Sequence, residues 1–312
     1  MNKGRAFLFP GQGAQAVGMG RDFYDAFSVA REVFEEADSL LSRHLSKIIF
    51  EGPIELLTET RNSQTGLYVM SIAILRVLQQ QFPALQPTVC AGLSLGEYTA
   101  LTAALRLPFS EGLPFVQLRG EAMQEACLAT PGSMAVVLGL SAEQVDEMVK
   151  EAHLPNDLWV ANYNSPGQIV LSGTLKGIER GMELAKASGA KRVVPLKVQG
   201  AFHSGLMLPA EKKLGLLLKN LSLVDSQTPV VMNFPGAPVS DTESIRDFLR
   251  KQVTGSVRWE QGIRSIEEEV DLFLEIGCGK TLTGLNQQIG VKGITLPINK
   301  VSDLEQLSQH IG

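Results

Sequence analysis

Residues 87–104 read PTVCAGLSLGEYTALTAA. Val89-Cys90-Ala91 is a short apolar run of strand type, and the residues after Gly96 have a helical pattern. Between them lies Gly92-Leu93-Ser94-Leu95-Gly96, a G-x-S-x-G pentapeptide set between strand and helix. A serine on such a sharp turn holds its hydroxyl clear of the backbone. Glycines two before and two after it let strand and helix approach closely. The free N–H groups of the helix start point at the same spot, where an oxyanion develops in acyl transfer. Glu97, three residues after Ser94, completes an S-x-x-E pattern that predicts a capping box. At this point Ser94 has two readings, a nucleophile or a plain N-cap.

The chain has 312 residues, enough for one large domain or two smaller ones. Its 44% hydrophobic and 20% charged content is that of a globular protein. A net charge of −5 argues against nucleic-acid binding as the main task, and an acidic partner would need a local basic patch. Cys90, Cys127 and Cys278 lack metal-site or disulfide spacing and read as reduced thiols. The N-terminus shows no signal-peptide pattern, and no apolar run approaches the length of a membrane span.

Residues 5–9 form an apolar run that stops at Pro10-Gly11 and feeds the loop 10–15. That loop lacks P-loop and G-x-G-x-x-G spacing, so it reads either as a holder of one polar side chain, Gln12, or as an ordinary turn. Helical spacing covers 21–41, 54–60, 62–80 and 110–126. From Pro131 the texture changes. Strands at 133–140, 157–162, 168–173 and 192–198 alternate with helices at 141–152 and 176–188. The order β-α-β-β-α-β predicts an inserted ferredoxin-like unit, 131–198. The flanking segments, 1–130 and 199–312, are expected to form one large α/β-hydrolase-like domain on a mostly parallel sheet. Helices at 206–218, 244–252 and from 282, and strands at 230–232, 272–276 and 293–297, complete the reading. The active site is expected in the crevice between the two lobes.

Two residues in this layout carry chemistry. Arg119 lies on the apolar stripe of helix 110–126, with Phe115, Ala122, Met123 and Ala126. A core-facing guanidinium implies an internal ion pair, a snorkelling side chain, or a substrate carboxylate gripped by both N–H edges. His203 sits in a Gly/Ala-flanked loop after a strand. The other three histidines, His44, His153 and His310, fall in polar or terminal stretches and read as surface residues. His203 is thus either structural or the base that partners Ser94.

The stretches FLFPGQGAQ, GLSLGEY, QLRGEAMQEA, NYNSPGQIVLSG, GAKRVVPLKVQGAFHSGLM, QVTGSVRW and EIGCGKTLTGL follow one another across the whole chain. Together they resemble malonyl-CoA:acyl-carrier-protein transacylases of type II fatty acid synthesis. The resemblance implies Ser94 as the nucleophile that takes the malonyl group and His203 as general base and acid. It implies that a main-chain carbonyl near Gln252 orients His203. Gln12 and the Leu95 N–H would form the oxyanion hole, Arg119 would hold the malonyl carboxylate, and Asn162 with its neighbours through Gln168 would line the CoA and pantetheine approach. It further implies malonyl-CoA and an acidic acyl carrier protein as partners, no cofactor or metal, no nucleic acid or membrane, a monomer and a cytoplasmic location. Lys186, Lys191 and Arg192 are the expected docking residues, or else a solvated rim.

This chain departs from the family pattern at four places. Leu93 replaces the usual histidine before the nucleophile, Cys278 and Ser256 stand where proline is common, and Ala14 replaces a frequent serine. Two other functions compete. A serine esterase or thioesterase shares G-x-S-x-G but uses an acidic triad member and has no need of a buried arginine. A catalytically silent subunit that only binds carrier protein is the other. Transfer of methylmalonyl or another extender unit ranks below both, because Phe202 before His203 resembles the version associated with malonyl.

Overall fold

The computed structural model describes residues 4–198 and 200–311. Residues 1–3, 199 and 312, which the sequence reading places at domain ends and in the loop before His203, lie outside the described residues. The fold is mixed α/β with two sheets. The strands are β1 (Gly4–Phe9), β2 (Val89–Gly92), β3 (Gly132–Leu138), β4 (Leu158–Ser165), β5 (Gln168–Thr174), β6 (Arg192–Pro195), β7 (Val230–Met232), β8 (Ala237–Val239), β9 (Val257–Arg258), β10 (Val270–Ile276) and β11 (Ile294–Ile298).

The larger sheet has the order β11-β10-β1-β2-β7-β8. Its pairs are parallel except for the edge hairpin of β7 and β8. Central strands of a parallel sheet are covered on both faces, so they read as apolar runs without alternation. Leu8, Phe9, Cys90 and Ala91 are fully buried. One cover is helix Thr60–Gln81, buried along most of its length and packed against helices Ser28–Leu41 and Phe109–Ala129. The loops after β1, β2 and β10 all leave from the carboxyl ends of parallel strands, where open α/β sheets build their sites.

The spacing of the pentapeptide has a steric cause. A Cβ on Gly92 would lie 1.9 Å from the Gly96 carbonyl carbon, and one on Gly96 would lie 2.1 Å from the Phe9 carbonyl oxygen. Only glycine fits at both, because strand, helix and the neighbouring β1 touch through backbone.

The smaller sheet has the order β6-β3-β5-β4-β9. The first four strands are antiparallel and carry helices Ala142–Glu151 and Leu175–Ala187 between them. β9, from far along the chain, joins β4 in parallel and ties the two sheets together.

Several local expectations change. The helix expected over 21–41 is two helices, Arg21–Ala26 and Ser28–Leu41, broken where Phe27 takes an extended conformation (φ −129°). The strand expected over 192–198 stops at Pro195, with one further ladder-like bond from the Leu196 N–H to Met134 O at 2.9 Å. Glu97 forms no capping box: its carboxylate turns inward, and no side chain caps helix Gly96–Ala103. The capping box lies instead at Ser141 and Gln144, on helix Ala142–Glu151.

Candidate active site

Ser94 and His203 both sit in the left-handed region, at φ 52° and 55°. For an L-residue this costs roughly 1–2 kcal/mol, so surrounding structure must hold each turn. The His203 Nε2 lies 2.8 Å from Ser94 Oγ. Nδ1 lies 2.8 Å from the main-chain oxygen of Gln252. A carbonyl only accepts, so Nδ1 carries the proton and Nε2 is left as acceptor for the Ser94 hydroxyl. Burial, and then the charge of Arg119, lower the His203 pKa to about 4, which keeps the imidazole neutral at pH 7 with Nε2 open to accept a proton.

Arg119 is fully buried. Its Nη1 donates to Gln64 Oε1 at 2.6 Å, and its Nη2 to Gln252 Oε1 at 2.9 Å and to Ser94 Oγ at 3.0 Å. Neither an internal ion pair nor a snorkelling chain is found: among the described residues no carboxylate bridges to Arg119. Its Nε has no partner among the described residues. The guanidinium also faces the Tyr98 ring, 5.4 Å from its centroid. Arg119 is thus a buried cation one hydrogen bond from the serine oxygen, with no carboxylate bonded to it among the described residues.

A cavity of about 330 Å³ opens beside these groups. Gln12, Ser94, Asn162 and His203 line it, while Arg119 and Gln252 stand behind Ser94. Apolar residues, among them Met134, Val136, Val170, Leu196, Val198 and Phe202, form much of the remaining wall. Among the described residues no acceptor meets the N–H of Gln12 or of Leu95. Gln12 Oε1 accepts from Gln64 Nε2 at 3.3 Å. One unbonded N–H thus follows Ser94 and another belongs to the β1 loop that lines the same cavity.

The departures also find their places. Leu93 lines the cavity beside Ser94, and its N–H donates to Phe9 O. The Ser256 hydroxyl donates to Val160 O at 2.6 Å and so fastens the β9 loop to β4. Ala14 lines the cavity, and Cys278 is half-buried in the loop after β10.

Sequence reading alone misses several residues of this site. Gln64 belongs to the polar run Asn62-Ser63-Gln64-Thr65 in an otherwise apolar helix, and all four are buried. Such a run in a core-facing helix is a legible signal. Asn164 is not among the missed: it falls in the segment 162–168 expected to line the approach, and it lines the cavity with its Oδ1 buried and without a partner among the described residues. It follows Asn162 at the two-residue spacing that puts both on one face of a strand. Glu275, fully buried, accepts from the N–H groups of Leu282 and Thr283 at 2.9 and 2.7 Å. It holds the start of helix Thr281–Ile289, whose Thr281, Leu282 and Leu285 line the cavity. Asn233, described below, left no mark in the sequence.

Residues 6–293 match the acyl transferase domain family. The malonyl CoA-acyl carrier protein transacylase of Bacillus subtilis is 42% identical over 305 residues, covering 96% of this chain and 95% of that protein. The chain belongs to the malonyl-CoA:acyl-carrier-protein transacylase family. The Escherichia coli K12 transacylase is 37% identical over 285 residues, 91% of this chain and 92% of its own. Among solved structures, a malonyl-transacylase in complex with a type II polyketide acyl-carrier protein superposes with a TM-score of 0.94 at 37% identity, covering 98% of this chain and 99% of that one. The Vibrio cholerae acyl carrier protein S-malonyltransferase gives 0.92 at 36%, covering 97% and 99%. The transacylase fold therefore extends over the whole described chain, both sheets included.

Proposed function

We propose that this transacylase moves a malonyl group from malonyl-CoA to the phosphopantetheine thiol of an acyl carrier protein through a malonyl ester on Ser94. One observation carries the reading. The Ser94 oxygen lies within hydrogen-bond distance of a neutral imidazole on one side and of a buried, anion-free guanidinium on the other. Malonyl-CoA enters the cavity and its free carboxylate pairs with Arg119. His203 Nε2 takes the Ser94 proton as the oxygen attacks the thioester carbonyl. The N–H groups at Gln12 and Leu95 stabilise the oxyanion, each such donor contributing on the order of 3 kcal/mol. The intermediate collapses, the C–S bond breaks, and His203 returns the proton to the leaving thiolate. The carrier-protein thiol then attacks the ester by the reverse path. Every step is acid–base or nucleophilic, so the reading calls for no cofactor. Asn162 and Asn164 face the pantetheine arm, and the apolar wall keeps water from the ester.

Intact-mass spectrometry after mixing with malonyl-CoA tests this. A single malonyl adduct is expected, stable until holo-carrier protein removes it. No adduct would leave a silent binding subunit, and rapid loss to water would leave a thioesterase. Against the esterase, His203 Nδ1 is held by a main-chain carbonyl and not by an acid.

The pH dependence follows from His203. Its pKa is depressed, so the neutral base persists down to about 4. The acylation rate is expected to stay level below neutrality and to fall only as pH drops through about 4. A break near 6.5 in stopped-flow profiles would contradict it. The same shift adds stability that is fully present above pH 6.5 and is lost as pH falls toward 4.

We also read the large sheet as α/β-hydrolase-like, spanning 1–130 and 199–312, and 131–198 as a ferredoxin-like insertion. The β6-β3-β5-β4 order with its two helices supports this. The enzyme acts as a cytoplasmic monomer in this reading. The acidic carrier protein docks on Lys186, Lys191 and Arg192, all exposed, with Lys197 at the cavity wall. Reversing the three charges is expected to raise KM for carrier protein about tenfold at low salt and to leave malonyl-CoA acylation unchanged. An unchanged carrier-protein KM would remove these residues from the interface.

A further inference from the structure

We infer that Asn233 is a positioning residue for the nucleophile, holding the strained Ser94 turn from outside the reacting atoms. This rests on Ser94 being the nucleophile. Asn233 follows β7 and is nearly fully buried. Its Oδ1 accepts the Ser94 N–H at 2.7 Å, and its Nδ2 donates to Gly92 O at 2.7 Å. One side-chain amide thus grips the pentapeptide on both sides of its bend.

The other end of the turn is gripped as well. Gln252 Nε2 donates to Ser94 O at 2.9 Å. Glu97 joins the two grips: one carboxylate oxygen accepts the Asn233 N–H and the other accepts Gln252 Nε2. Gln252 in turn holds His203 through its main-chain oxygen and Arg119 through Oε1. Nucleophile, base and guanidinium therefore share one buried frame of three side chains, none of which lines the cavity. The arrangement commits the Ser94 N–H to Asn233 and leaves the next N–H, that of Leu95, for the oxyanion. Without Oδ1 the Ser94 N–H is left unpaired in a dry site. The turn then relaxes toward negative φ and carries Oγ away from Nε2.

Rapid-quench malonylation by malonyl-CoA, read as burst amplitude and burst rate constant separately, tests this. Asn233→Leu is close in shape but has no acceptor. It is expected to keep full amplitude and to lose about 10²-fold in rate constant, the size of effect a misplaced reacting atom produces. Asn233→Asp, protonated in this buried setting, keeps an acceptor for Ser94 and a donor for Gly92. It is expected to recover most of the rate at low pH and to slow as pH rises and the acid ionises. Lower amplitude with a parental rate constant would mean a merely structural role and overturn the inference. So would a parental rate constant in Asn233→Leu, or an Asp variant no faster than the Leu variant at low pH. Should Asn233→Leu not fold, Asn233→Ala makes the same comparison. If the parent itself forms no adduct, the proposed function fails. If the parent acylates and the variants match it, only this inference fails.

Discussion

Ser94→Ala is expected to take no malonyl group at all from malonyl-CoA. Turnover should fall on the order of 10⁶-fold, as when a nucleophile is removed from a preorganised acyl-transfer site. The fold should survive, because alanine adopts the same left-handed turn that serine already occupies at φ 52°. What is lost is the oxygen between His203 Nε2 and Arg119 Nη2. The Asn233, Glu97 and Gln252 contacts do not involve the Ser94 hydroxyl and remain. Intact mass and transfer to carrier protein are the measurements. An adduct that persists on the alanine variant would show that another residue is acylated and would end the Ser94 account.

Arg119→Ala should separate malonyl from acetyl substrates. Removing one partner of a buried charge pair costs about 2–5 kcal/mol, so kcat/KM for malonyl-CoA should fall on the order of 10²- to 10³-fold. Acetyl-CoA has no carboxylate to lose, and its slow reaction should persist or rise. The change also strips Gln64 and Gln252 of a donor, so part of any loss common to both substrates reports the disturbed frame. The ratio of the two substrates is therefore the quantity to read. A ratio equal to the parent's would sink the carboxylate clamp, whatever the absolute rates.

Much of this architecture is legible in the sequence. The apolar runs at β1, β2 and β10 are strands covered on both faces, and the long helices show their core stripes. Helices Leu45–Glu51 and Trp259–Arg264 and strand Ala237–Val239 are each too short for a sequence period to show. Glu97 is the instructive miss. S-x-x-E spacing is the same whether the glutamate caps its own helix or turns inward. Its actual partners lie 136 and 155 residues away, and no local pattern encodes them.

The sequence by itself determined the residue types at the bend and beside it: glycines where backbones touch, a serine between them, and an arginine on the apolar face of a helix. Those are steric and solvation demands that act on each position locally. Only the tertiary structure decided that no carboxylate among the described residues bonds to Arg119, that a main-chain carbonyl sets the His203 tautomer, and that Asn233 grips the serine turn. Each of those depends on groups brought together from distant parts of the chain, where burial leaves no water to substitute for the missing partner.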